Sequence, residues 1–183
     1  MTAIDATSLT SLLDGRYAGV RQDVRKALAE RADFLDEVEE LPRAEYRERV
    51  REVLLDVSAS GLTGLGFPKE YGGGGDVGAS IAAFEEMAGG DLSLLVKSGV
   101  QFGLFGGAIL QLGTERHHDR YLADIVAGRL LGCFAMTEHG HGSNVAAVAT
   151  VATYDSATQE FVIETTREDA YKDYIGNAAA HGE

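Results

Sequence analysis

Apolar residues recur at helical spacing along the first two thirds of the chain. Tyr17, Val20, Val24, Leu28 and Arg31 form one stripe, and Tyr46, Val50, Val53, Leu54 and Val57 form a second behind Pro42. Val77, Ile81, Phe84 and Ala88 mark a third helix. A long apolar run from Leu92 to Leu112, with Asp91 or Ser93 as its cap, predicts a fourth, and Thr114 starts a fifth that carries Tyr121, Leu122, Ile125 and Val126. The glycine-dense stretch from Gly61 to Asp76 has no sustained period and predicts a loop with several tight turns.

Beyond Gly128 the helical period is lost. Leu130 to Met136 is apolar and strand-length, and Val145 to Tyr154 is rich in valine, threonine and alanine. Turn formers between Tyr154 and Phe161 separate two strand-like runs, which predicts a hairpin. The fold class is therefore α+β, with an all-helical domain over residues 1–130 followed by the beginning of a β domain over 131–183. Two or three strands with bare edges are marginal alone, so the sequence reads as cut short at its C-terminus.

Composition narrows the partners. With 16 basic against 29 acidic residues the net charge is -13, and no basic stripe offers a path for nucleic acid. Cys133 is the one cysteine, which rules out an intramolecular disulfide and reads as a packed thiol. The first residues lack the basic patch and apolar run of a secretory leader, so the default location is cytoplasmic. The Leu92 to Leu112 run approaches membrane-spanning length. Lys97, Gln101 and Gln111 interrupt it, and its glycines suit close packing, so it reads as a buried helix with no membrane span.

The four glycines at 72 to 75 lack the lysine and serine or threonine of a nucleotide P-loop and read as a structural turn. The densest chemistry lies in Cys133-Phe-Ala-Met-Thr-Glu-His-Gly-His-Gly-Ser-Asn144, where an apolar strand becomes a glycine-rich loop. Gly140 and Gly142 allow close approach of a flat ring or phosphate, and Thr137 and Ser143 add short donors. Glu138, His139 and His141 also admit a metal reading, because imidazoles two apart on a strand point the same way. A hydrolase on that basis needs a third firm ligand, and His117, His118 and His181 are the remaining imidazoles. His117 and His118 read as solvated helix residues.

The segment Gly132 to Val145 resembles the flavin-loop motif of the acyl-CoA oxidase and dehydrogenase superfamily. Phe67-Pro-Lys-Glu-Tyr-Gly-Gly and Gln111-Leu-Gly-Thr-Glu-Arg resemble two further stretches of that family, and Tyr171-Lys-Asp-Tyr-Ile-Gly-Asn177 resembles its second flavin segment, with Asp173 as a departure. The loop's histidines are more similar to the oxidase branch, although His139 matches neither branch.

The resemblance implies that residues 131–183 begin a β-barrel flavin-binding domain. It implies FAD as cofactor, held by Phe134, Ala135, Met136, Thr137, Gly142, Tyr174 and Gly176, and Ser143 as a contact to a fatty acyl-CoA. The implied reaction makes a trans-2-enoyl-CoA: a carboxylate removes the α proton and the β hydrogen leaves as hydride to the flavin. Electrons then pass to dioxygen in an oxidase or to an electron-transfer flavoprotein in a dehydrogenase. The family's catalytic glutamate belongs to a C-terminal helical domain, and no residue here maps onto it, Glu138 included. Family members commonly form homo-oligomers. The competing class is a noncatalytic helical interaction module, which flavin binding would exclude, and the metal hydrolase on His139 and His141 is the third.

Overall fold

The computed structural model describes residues 5–32 and 41–182. The leader reading of Met1 to Ile4 and the last residue of the expected 131–183 domain, Glu183, lie outside the described residues. The chain divides into two compact units, Met1–Gly132 and Cys133–Glu183.

The first unit is helical. Asp5 accepts hydrogen bonds from the Thr7 and Ser8 amides, both at 3.2 Å, and starts α1 (Ala6–Asp14). The periodicity reading left this helix out, although an aspartate before Leu9, Leu12 and Leu13 is a cap-plus-stripe signal. A 3-10 turn leads into α2 (Ala18–Ala29), and α3 (Arg43–Ala59) follows the described Pro42. Helix α3 buries Val50, Val53, Leu54 and Val57, the stripe its spacing predicts. Each such aliphatic side chain taken out of water contributes roughly 1.5–3 kcal/mol. Helix α4 (Val77–Met87) starts from Asp76, whose carboxylate accepts the Ala79 amide at 2.9 Å.

Charge ties α1, α2 and α4 together. Arg25 binds both oxygens of Asp14 at 2.8 and 2.7 Å and reaches Glu86 at 2.6 Å, while Arg21 spans Glu85 and Glu86. The carboxyl of Asp14 is held below its ordinary range, first by the Arg25 hydrogen bonds. Tyr46 on α3 donates to Asp91 at 2.9 Å, and Asp91 in turn caps the next helix through the Leu94 amide.

That next helix is not uniform. It runs as α5 (Leu92–Ser98), a π-helix over Gly99–Gly106, and α6 (Gly107–Leu112). Leu94, Ser98, Gln101, Phe102 and Gly106 face the core, whereas Leu92, Val96, Leu104 and Leu112 are exposed. The buried-helix expectation is thus corrected to a helix with one buried face. The wider π-turns leave Gln101 completely buried, and it is hydrogen-bonded at both ends of its amide. Thr114 caps α7 (Glu115–Val126) in a reciprocal box with His117, whose Nδ1 accepts the Thr114 amide at 3.1 Å. His117 is exposed, as expected, but His118 is half-buried: its Nε2 has no hydrogen-bond partner among the described residues and its ring meets Tyr71 edge-on.

The glycine loop closes on itself. The Gly73, Gly74 and Gly75 amides donate to the carbonyls of Pro68, Gly64 and Phe67 at 3.0, 3.1 and 2.8 Å, and Gly72 donates to Lys69. These N–H groups are spent inside the loop, which leaves a turn and no phosphate cradle.

In the second unit, β1 (Val151–Asp155) and β2 (Glu160–Glu164) form an antiparallel hairpin in the register Tyr154 to Phe161, with those rings 5.2 Å apart. The strand expected from Leu130 to Met136 forms no ladder among the described residues; Leu130 is a bend, and the Met136 amide turns back onto the Phe134 carbonyl at 3.2 Å. Of the strand expected from Val145, only the end is strand, because Val145–Ala147 makes a 3-10 turn. The architecture is α+β: a helical domain and the start of a β domain.

Candidate functional site

The segment from Phe134 to Ser143 lies wholly in the second unit. Glu138 and His141 pair across a tight turn, with the His141 amide on the Glu138 carbonyl at 3.0 Å. Glu138 also bridges antiparallel to Lys172, through the His139 amide on the Tyr171 carbonyl at 2.8 Å and the Asp173 amide on the Thr137 carbonyl at 3.2 Å. The two stretches assigned to flavin by resemblance, 34 residues apart in sequence, are therefore held side by side.

Glu138 is the centre of this arrangement. It is 2% exposed. Its carboxylate accepts the Ala149 amide at 2.9 Å, the Thr150 amide at 2.9 Å, the Thr150 hydroxyl at 2.7 Å and Lys172 Nζ at 3.1 Å. The Ala149 hydrogen bond leads the causes that hold this carboxyl far below the usual carboxylate range, against the opposing effect of burial. A carboxylate so satisfied is a poor proton acceptor, so its chemistry is structural. His141 Nε2 lies 3.4 Å from Glu138 but is not aligned for a hydrogen bond, and both ring nitrogens are buried without a partner among the described residues.

The premise of the metal reading does not hold. His139 and His141 sit on a turn rather than a strand, and His139 is exposed. Among the described residues no group of three His, Cys, Asp or Glu side chains is placed to share an ion.

The remaining predicted residues divide by exposure. Phe134, Met136 and Thr137 are half-buried, and Ala135, Gly142 and Ser143 are exposed. The Thr137 amide and hydroxyl make no hydrogen bond among the described residues, nor do the amides of Gly142 and Ser143. A Cβ on Gly142 would meet nothing within 4 Å, so neither packing nor a positive φ explains glycine there. Free donors beside a bare backbone suit a ligand with acceptors along a flat edge, which is the chemistry of an isoalloxazine ring. Tyr174 has φ of 56° and is 88% exposed, while Gly176 is half-buried in the turn that follows. Sequence reasoning missed Glu138, Thr150 and Lys172 as a unit, because their separations of 12 and 34 residues follow no periodic pattern.

The helical unit carries an open groove of about 840 Å³ walled by Phe67, Ile81, Phe84, Val96, Val100 and Leu104 among others, with Ile81, Phe84, Val96 and Leu104 themselves exposed. Its size falls within the range of small-molecule pockets, and apolar side chains dominate its lining. The Thr63 hydroxyl, at its wall, is buried without a hydrogen-bond partner among the described residues.

Comparison with known proteins agrees with this fold. The profile of the acyl-CoA dehydrogenase N-terminal domain matches residues 17–129. The chain belongs to the acyl-CoA dehydrogenase family. Peroxisomal acyl-coenzyme A oxidase 2 of Arabidopsis thaliana is 33% identical over 184 residues, which is 98% of this chain and 25% of that protein. Peroxisomal acyl-coenzyme A oxidase 3 of the same plant is 52% identical over 91 residues, 50% of this chain and 14% of that protein. The likeness thus runs to the oxidase branch. A glutaryl-CoA dehydrogenase of Mycobacterium smegmatis, solved in complex with FADH2, superposes with a TM-score of 0.67 at 27% identity, over 90% of this chain and 39% of that one. The chain spans a quarter or less of the length of these two plant relatives.

Proposed function

We propose that the protein carrying this chain is an FAD-dependent oxidoreductase that desaturates fatty acyl-CoA thioesters between Cα and Cβ, as in fatty acid β-oxidation. The observation that carries this reading is the pair of unspent donors on Thr137, the amide and the hydroxyl, on a segment whose other edge is fixed to Tyr171–Asp173. Phe134, Ala135, Met136, Gly142, Tyr174 and Gly176 complete the flavin contacts, and Ser143 faces the acyl-CoA. Bound FAD would supply the hydride acceptor.

Thr137 then acts as a preorganised donor to the electron-rich edge of the ring, a kind of interaction worth on the order of a few kcal/mol of barrier. The groove among Phe84, Val96, Val100 and Leu104 suits the apolar tail of the substrate. The α proton needs a carboxylate base, and Glu138 does not supply it, because its lone pairs are taken by four hydrogen bonds and its carboxyl is held ionised. The base is assigned to a part of the protein other than this chain. Residues 1–130 serve as the helical domain and 131–183 as the first part of a flavin-binding barrel.

Dioxygen is the acceptor favoured by the oxidase likeness, with an electron-transfer flavoprotein as the alternative, and a homo-oligomer is the expected assembly. The cytoplasmic default stands against the peroxisomal names of the plant relatives, and fluorescence microscopy of the tagged natural protein separates the two locations. The test of function is anaerobic addition of a saturated acyl-CoA to the FAD-loaded natural protein. Bleaching of the flavin band with formation of a 2-enoyl-CoA supports the proposal, and peroxide on admitting air selects the oxidase. A protein that takes up no FAD refutes it and leaves the helical interaction module.

A further inference from the structure

Lys172 makes two contacts. Its Nζ donates to Glu138 Oε1 at 3.1 Å and to the Met136 carbonyl at 3.1 Å. The second contact falls on the peptide unit whose other half is the Thr137 amide. A trans peptide is planar with C=O and N–H antiparallel, so fixing the carbonyl fixes the direction of the N–H. A cation on the oxygen also draws electron density from the nitrogen and strengthens the N–H as a donor, as in any polarised hydrogen-bond chain.

The next peptide is held as well, since the Thr137 carbonyl takes the Asp173 amide at 3.2 Å. Both peptide units flanking the Thr137 Cα are therefore tied to the 172–173 stretch through their carbonyls. Glu138 keeps Lys172 in place: the pair is largely buried, with side-chain exposures of 22% for Lys172 and 1% for Glu138. Its remaining bonds to Ala149 and Thr150 anchor the carboxylate to a second stretch of backbone.

We infer that Lys172, held by Glu138, is a positioning residue that aims and polarises the Thr137 amide as a donor to the bound flavin. The inference rests on the flavin reading above and goes beyond it by assigning a function to an ion pair that touches no reacting atom. Two of the three N–H donors of Lys172 rest on oxygens of this chain, so the role assigned to it acts through the Met136 carbonyl.

The test compares the natural full-length protein with Lys172→Met, Lys172→Gln and Glu138→Gln, reading FAD affinity of the apoprotein, flavin reduction potential and thermal midpoint. Lys172→Met removes both aim and polarisation, and its FAD dissociation constant should rise about tenfold. The reduced flavin, which has the greater need of a donor, should lose about tenfold more affinity than the oxidised form, a potential about 30 mV more negative. Lys172→Gln keeps a donor for the Met136 carbonyl without the charge, keeps the inference testable if Lys172→Met does not fold, and should lower the potential by less. Glu138→Gln, which releases Lys172, should also raise the FAD dissociation constant, whereas the loss of its negative charge by itself shifts the potential upward. If the variants lower the thermal midpoint while the folded protein keeps the wild-type potential and FAD affinity, the pair is only structural and the inference falls. If the wild-type protein binds no FAD, the flavin reading itself fails, a separate and earlier outcome.

Discussion

Gln101 on the π-helix and Leu130 at the end of the helical unit are joined by a 2.7 Å hydrogen bond from the Gln101 amide nitrogen to the Leu130 carbonyl, and the Gln101 oxygen accepts the Gly132 amide at 3.1 Å. A side chain with no exposure thus stands in for a strand partner of the Leu130–Gly132 backbone. Replacing it with Leu leaves one carbonyl and one N–H without partners in a buried setting. Gln101→Leu should destabilise the protein by about 2–4 kcal/mol. Urea unfolding followed by helical circular dichroism checks this, and a midpoint equal to wild type would mean that water satisfies both groups.

Two glycines should respond to alanine with opposite signs. A Cβ on Gly73 would run into the Phe67 carbonyl, whereas one on Gly103, in the π-helix, would meet nothing within 4 Å. Gly73→Ala should cost about 1–3 kcal/mol through overpacking of the closed loop. Gly103→Ala should gain about 0.5–1 kcal/mol by restricting the unfolded chain. Thermal unfolding of the two variants side by side measures both.

Acid should expose the role of Glu138. Its folded carboxyl titrates below the unfolded one, so the stabilisation it provides is complete above an unfolded pKa of about 4.3 and is lost as pH falls toward the folded value. The stability difference between wild type and Glu138→Gln should therefore be flat from pH 7 to about 5 and shrink in stronger acid. A difference that grows on acidification contradicts the assignment.

Filling the groove of the helical unit should select substrates by length. Val100 lines it, and Val100→Phe adds bulk without removing any hydrogen bond of the loop that carries Thr137. For the longest acyl-CoA accepted, each methylene kept out of the groove forfeits about 0.8 kcal/mol, close to fourfold in kcat/KM, while short chains are spared. A uniform loss at all chain lengths would place the tail elsewhere.

The helices from Ala18 to Val126 were legible because burial repeats every three to four residues in Val50, Val53, Leu54 and Val57 and again in Leu122, Ile125 and Val126. The hairpin was legible from its turn formers. The π-helix was not, since Gly99 to Gly106 has the same apolar composition in either helix, and Gln101 read as an interruption when it is a buried clamp. Leu130 to Met136 has strand composition, but composition does not supply a neighbour, and in this chain that stretch is held by side chains, Gln101 on Leu130 and Gly132 and Lys172 on the Met136 carbonyl. At the candidate site, the motif that pointed to Thr137 and Gly142 was visible as residue types. The ion pair beneath it was not, because Lys172 and Glu138 are charged residues that composition places on the surface and only the folded backbone brings together inside.

The π-turns of Gly99–Gly106 also bear on how sequences in this family can be aligned. A π-turn holds one more residue than an α-turn within the same hydrogen-bonded loop, so it absorbs an insertion without shifting the helix on either side. A relative one residue shorter in this helix can keep the Leu94 and Ile109 faces where they are. A gap placed there marks a change of winding, and the residues beyond it remain equivalent.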